Sequence, residues 1–282
     1  MRKRSSFISV FTMFLALGFI LVFSRPVKAA ANGITLKANR TYTGYDVTGD
    51  RVKDKIRIKA AGKTDDETYT ALTVTVNGKT AYALKNTRFY SVYANIYTLK
   101  NGQPFLYLYA PADNGDGPVC ALLKYTNGKF KKALDFTTLL KGYGNHCAGS
   151  VTNVNGNKIV ITESIVSYSL GVNAINFTYQ YVNGKLVPTS RYGAYKTIYS
   201  GNEEGRYFTV NTALPTYTKP GSTAVSRTLE TGALVKIIKC AVINGKMYIQ
   251  LESEGEISWI NALNTPVIED SQKQFMEVRY AG

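Results

Sequence analysis

The dipeptide Asn-Gly recurs along the chain, six of its copies being Asn77-Gly78, Asn101-Gly102, Asn127-Gly128, Asn155-Gly156, Asn183-Gly184 and Asn244-Gly245. Each of these six is flanked by residues that alternate between apolar and polar. Asn and Gly tolerate the positive φ that a type I′ turn demands at both central positions, so each copy marks a tight β-hairpin. Six hairpins predict an all-β chain. The segments between them agree: Leu72-Val74-Val76, Phe105-Tyr107-Tyr109, Ile159-Ile161 and Phe177-Tyr179-Tyr181 place apolar residues at every second position, which puts them on one face of a strand. The rings of Phe105, Tyr107 and Tyr109 are expected to be buried, because cross-strand aromatic pairs stabilise a sheet by up to about 1 kcal/mol each.

The hairpins also repeat. From Ile56, Phe105 and Ile159 to the following turns at Asn77, Asn127 and Asn183 the separations are 21, 22 and 24 residues. Three units of about 50 residues follow, a period that belongs to blade-like β repeats. Three units are fewer than a closed propeller uses. The expectation for residues 30–200 is therefore a partial propeller, an open fan or a sandwich-like stack of antiparallel blades, with oligomerisation as a route to closure.

One loop carries ion-binding chemistry. Asp46, Thr48, Asp50 and Asp54 occupy positions 1, 3, 5 and 9 of a calcium loop, with the Val52 carbonyl at position 7. Alternate residues of a tight loop turn their oxygens inward, as a hard cation requires. Arg51 stands where Gly is favoured and Arg57 where an acid is usual. The competing reading is a metal-free turn held by aspartate side chains on backbone N–H groups. The run from Tyr45 through Asp46-Val47-Thr48-Gly49-Asp50 to Ile56 resembles the loop and strand of FG-GAP, integrin-type repeats of bacterial surface proteins. That resemblance spans roughly residues 32–196 and implies propeller-like blades.

Beyond residue 200 the pattern changes. Phe208-Thr209-Val210, Leu214 to Gly221, Thr228 to Gly232, Val235 to Ile238, Gly245 to Leu251 and Ile257 to Ile260 follow one another in an order that resembles a bacterial SH3-type domain over residues 207–263. The resemblance implies a small SH3-like barrel at residues 201–265, a tail at 266–282, and a role in peptidoglycan anchoring or wall-peptide binding. Tyr217 and Trp259 are its candidate ligand-binding residues, although a large aromatic is more often a core plug.

The other end sets the compartment. Arg2, Lys3 and Arg4 precede an apolar run from Phe7 to Phe23 and a small-residue exit at Val27-Lys28-Ala29, which reads as a signal peptide over residues 1–29; an uncleaved anchor is the alternative. Without its five basic residues the net charge of +15 falls to +10. What remains is uneven: residues 30–200 hold 21 basic against 10 acidic side chains, residues 201–282 hold 8 against 9. A basic exported chain points to cell-wall polymer, peptidoglycan or anionic glycan as partner, at a bacterial surface or outside the cell, with neither nucleic acid nor membrane once the signal is cleaved.

Three cysteines are too few to staple a chain of this length. Cys240 reads as a core residue, and Cys120 and Cys147 are the candidate pair. No enzyme motif stands out. His146 and Cys147 are adjacent, so on a strand they point apart; Glu163 is a lone acid among apolar and hydroxylic neighbours; Asp113 and Asp116 read as turn residues. The expectation is a secreted, non-enzymatic, envelope-associated binding or adhesion protein. A structural or assembly protein and a hydrolase with an unrecognised site are the alternatives.

Overall fold

The computed structural model of the protein describes residues 33–113, 116–196 and 203–280. The export segment expected at residues 1–29 lies outside them. Among the described residues no helix is long and apolar enough to cross a membrane.

After β1 (Gly33–Leu36) the chain runs through three antiparallel meanders of four strands each. The first is β2 (Thr41–Tyr45), β3 (Asp54–Ala61), β4 (Tyr69–Val76) and β5 (Lys79–Phe89). The second is β6 (Tyr93–Thr98), β7 (Pro104–Ala110), β8 (Val119–Thr126) and β9 (Lys129–Asp135), with β1 paired to β6. The third is β10 (Gly144–Asn155), β11 (Lys158–Ser167), β12 (Gly171–Val182) and β13 (Lys185–Pro188). Ile56, Phe105 and Ile159 each fall on the second strand of a meander, and the Asn77, Asn127 and Asn183 turns each join its third strand to its fourth. Both turn residues take positive φ at Asn77, Asn127, Asn183 and Asn244, whereas at Asn101 and Asn155 only the glycine does; all six sites are hairpin turns.

The second meander is the middle layer. One face of it, through Ala94, Ile96, Leu106, Leu108, Ala121 and Leu123, shares a core with Ile56, Ile58, Leu72 and Val74 of the first meander. The other face, through Tyr97, Phe105, Tyr107, Cys120 and Leu122, shares a core with Ile159, Ile161, Ile165, Ile175 and Phe177 of the third. This explains the sequences of β7 and β8, where Phe105-Leu106-Tyr107-Leu108 and Val119-Cys120-Ala121-Leu122-Leu123 are buried without a break. A strand covered on both faces needs apolar residues at every position. Strand β3 of the first meander is covered on one face and alternates instead.

The third meander continues through β14 (Tyr192–Lys196) into the C-terminal strands. After β15 (Tyr207–Thr209), β16 (Leu214–Thr216) and β17 (Arg227–Leu229) come β18 (Leu234–Ile243), β19 (Lys246–Ser253) and β20 (Glu256–Asn261). The sheet runs β10-β11-β12-β14-β18-β19-β20, with β13 and β15 attached to it. The division expected at residue 200 falls on residues 197–202, outside the described residues; to either side of it Tyr192, Gly193 and Ala194 pair with Ala241, Cys240 and Lys239. Strands β16 and β17 form a separate pair, and a bridge between Tyr217 and Trp259 joins the end of β16 to β20. Every strand pair is antiparallel and none of the sheets closes into a barrel. The tail turns back onto this framework: Phe275 is fully buried, the Val172 N–H donates to the Arg279 carbonyl at 3.0 Å, and the Tyr280 hydroxyl donates to the Tyr168 carbonyl at 2.6 Å.

Candidate functional site

Between the middle sheet and the third meander lies a cleft of about 690 Å³, a size typical of small-ligand sites. The β6–β7 register sets Tyr93 opposite Tyr109 and Asn95 opposite Tyr107. The Tyr93 and Tyr109 rings stack at 6.0 Å with 25° between their planes, and Tyr93 is 55% exposed. The facing wall comes from β10 and β11, through Ala148, Gly149, Ser150, Ser164, Ile165 and Val166.

The floor is built around Gly149. Strand β10 is an edge strand, and an edge leaves backbone N–H and C=O groups without strand partners. At Gly149 both are satisfied across the seam: the N–H donates to Cys120 Sγ at 3.3 Å and the carbonyl accepts from the Tyr107 hydroxyl at 2.7 Å. The approach is so close that a Cβ on Gly149 would stand 2.1 Å from the Phe136 ring. Phe136, fully buried, is held in a short 3-10 turn in which the Thr137 N–H and hydroxyl donate to the Asp135 side chain.

The titratable groups around this floor are held neutral or paired. Burial pushes the Cys120 thiol up to about 11 and the Cys147 thiol up to about 12, so neither supplies the thiolate that nucleophilic chemistry needs. All three cysteines are free thiols. Glu163 lies opposite Gly149 in the β10–β11 register, is fully buried, and has no hydrogen-bond partner on either oxygen. Burial, with a smaller contribution from Asp135, lifts its carboxyl to about 10, so it is a neutral acid at neutral pH. At the rim His146 sits in the β10 bulge with a φ of 53°, and its Nδ1 is 2.7 Å from Asp116 Oδ2. The cleft thus sets the Tyr93 and Tyr109 rings and the Asn95 amide opposite residues of β10 and β11.

The residues singled out from the sequence lie elsewhere. In the Asp46–Asp54 loop every carboxylate is turned onto a backbone N–H. Asp54, buried, accepts from Val47 N at 2.8 Å and Thr48 N at 3.0 Å through Oδ2, and from Asn77 Nδ2 at 2.6 Å through Oδ1. Asp46 accepts from Gly49 N at 2.6 Å and Arg51 N at 2.7 Å, and Asp50 accepts from Val52 N at 2.8 Å. Thr48 Oγ1 donates to Asp46 at 3.4 Å. Asp54 Oδ2 and Asp46 Oδ1 thus take two donors each, which occupies both lone pairs. Among the described residues no group of three or more His, Cys, Asp or Glu is gathered for a metal ion.

Tyr217 and Trp259 are brought together by two backbone hydrogen bonds of 2.8 Å. Trp259 is 5% exposed and packs with Tyr192, Tyr217 and Tyr248, while Lys239 Nζ lies 4.6 Å from the Tyr192 ring centre and 6.0 Å from that of Trp259. Tyr217 is half-buried. Phe105 and Tyr107 are buried as expected, and Tyr109, half-buried, opens onto the cleft.

Sequence reasoning missed Tyr93, Asn95, Ser150, Ser164 and the Asp116–His146 pair as parts of one site. A signal existed in Tyr93-Ala94-Asn95-Ile96, where the large or polar residues share one face and the buried Ala94 and Ile96 the other. Asp116 looked like a turn residue because its partner is 30 positions away. Set against family models, curated proteins and solved structures, the chain finds no match in any of the three.

Proposed function

We propose that the protein is an exported, envelope-associated binding protein without enzymatic activity, whose cleft between the middle sheet and the third meander receives an extended surface polymer. The observation that carries this reading is the Tyr93–Tyr109 stack, because a wide cleft with a half-exposed aromatic wall is a surface a soluble chain otherwise avoids. The neutral state of Glu163, Cys120 and Cys147, buried behind the cleft lining, speaks for binding over hydrolysis. The SH3-like order of strands over residues 201–265 supports a second role, attachment to wall or peptide, with Tyr217 as the accessible ring beside the buried Trp259. The meanders support the comparison with propeller blades of the integrin type. Calcium, were it to replace the N–H donors of the Asp46–Asp54 loop, would brace the first meander and not the cleft.

The test is co-sedimentation of the protein with purified bacterial cell wall. Removing residues 207–282 would strip β18 from β14, so single substitutions are the proper probes. The parent is expected to sediment with the wall, and Tyr93→Ala to stay in solution while melting within about 0.5 kcal/mol of the parent, as surface substitutions do. A parent that stays in solution with every wall fraction would overturn the proposal.

A further inference from the structure

Resting on that reading of the cleft, we infer that its ligand is a neutral glycan whose sugar ring stacks on Tyr93 and not the anionic polymer that the chain's overall charge suggests. The charge of the chain and the charge of the cleft differ. The sequence carries 34 basic against 19 acidic residues, yet none of the described residues lining the cleft is Lys or Arg. An acidic polymer is held by Lys and Arg, most firmly through paired guanidinium contacts. At the rim His146 and Asp116 are already paired to each other at 2.7 Å.

What the lining offers instead is suited to a sugar. The face of an aromatic ring carries partial negative charge, and the C–H bonds on the flat side of a pyranose carry partial positive charge. Tyr93 presents such a face at the cleft, braced from behind by Tyr109. Beside Tyr93 stands the Asn95 amide, with Ser150 and Ser164 among the residues of the wall across the cleft. The Asn95 carbonyl oxygen accepts from Thr35 Oγ1 at 2.8 Å, which directs its NH₂ donors elsewhere. Hydroxyl and amide groups exchange hydrogen bonds with sugar hydroxyls in either direction.

A peptide is the other polymer a sheet edge attracts, and the floor argues against it. Strand addition requires free N–H and C=O groups along the edge. At the β10 edge the Gly149 N–H and carbonyl are consumed by Cys120 and Tyr107, so an incoming strand loses its pairing at Gly149.

Titration calorimetry of the full mature chain tests this with four probes: chitotetraose, cellotetraose, polygalacturonate and a proline-rich decapeptide. At least one of the two neutral oligosaccharides is expected to bind, with Tyr93→Ala weakening it about tenfold or more, equivalent to about 1.4 kcal/mol. Ile268→Ala, at an exposed side chain outside the cleft lining, should leave that affinity unchanged. Binding of polygalacturonate or the peptide that Tyr93→Ala abolishes, with neither neutral sugar bound, overturns the inference and leaves the binding reading intact. Binding of neutral sugar unaffected by Tyr93→Ala overturns it too, since the site would lie elsewhere. Should neither the four probes nor whole wall bind, both the inference and the reading fall.

Discussion

The seam between the middle sheet and the third meander is closed at one end and open at the other, although the same strands line both. At the closed end, beside the β6–β7 and β10–β11 turns, the Tyr181 hydroxyl donates to Gln103 Oε1 at 2.9 Å and accepts from Lys124 Nζ at 2.7 Å. Tyr181 also meets Phe105 edge-on at 5.6 Å, and Asn157 Oδ1 accepts from Asn101 N at 3.1 Å. At the open end tyrosines again dominate, but there Tyr93 and Tyr109 stack on each other within one sheet. The difference lies in the direction in which the rings find partners. A tyrosine bonded across the seam is structural; one stacked along its own sheet leaves a surface free for a ligand.

Three substitutions would break or sharpen this contrast. The largest effect is expected from Gly149→Ala, at the point where the two ends meet. The added methyl would stand 2.1 Å from Phe136, and relieving that overlap should cost about 3 kcal/mol or more, read as a fall in the denaturant midpoint. A loss below about 1 kcal/mol would mean that the Phe136 turn swings aside freely.

Glu163→Gln comes next and acts with the opposite sign. From an ordinary value of 4.5 the Glu163 carboxyl is raised to about 10 in the folded chain. Between those values the folded state holds a proton that the unfolded state has released. Its stabilising contribution is therefore whole below pH 4.5 and is lost as pH rises toward 10, by at most about 1.4 kcal/mol per pH unit. The Gln variant does not titrate there. It should melt higher than the parent at about pH 8, by up to roughly 3 kcal/mol, and its stability should change less across the neutral range. Parallel pH profiles for parent and variant would show that the carboxyl is solvated and ionised.

The smallest effect belongs to Tyr181→Phe, which deletes the two hydroxyl bonds at the closed end and keeps the ring. A loss of about 1 kcal/mol is expected, with wall binding unchanged. A change in binding would mean that both ends of the seam serve the ligand.

The class and the meanders were legible in the chain because turns are local: Asn77-Gly78 and its relatives state a backbone conformation by themselves. Layering was half legible. The alternation of Phe105, Tyr107 and Tyr109 marked one face of β7, yet Leu106 and Leu108 between them are as deeply buried, and it was this unbroken run that signalled a strand covered on both sides. The Asp46–Asp54 loop was found for its carboxylates, but spacing does not reveal whether an oxygen meets a cation or an N–H; Asp54 reaches Val47, Thr48 and Asn77. The cleft was hidden because it joins β6 and β7 to β10 and β11 across more than 40 residues, as in the Tyr107–Gly149 bond. No local pattern encodes that meeting.

The tail's return bears on the order in which the molecule assembles. The first two meanders close through hairpins, with partners a few residues apart, and such contacts form early because little chain must be looped to make them. The third sheet is finished only when β18 reaches β14 and when Tyr280 reaches Tyr168, 112 positions upstream. Synthesis therefore releases the first two layers able to pack while the third still lacks its last strands. Until β18 emerges, the β14 side of that sheet is an open edge, and unpaired edges recruit other chains. The window for misassembly spans the synthesis from β14 to β18 and closes when those two strands pair.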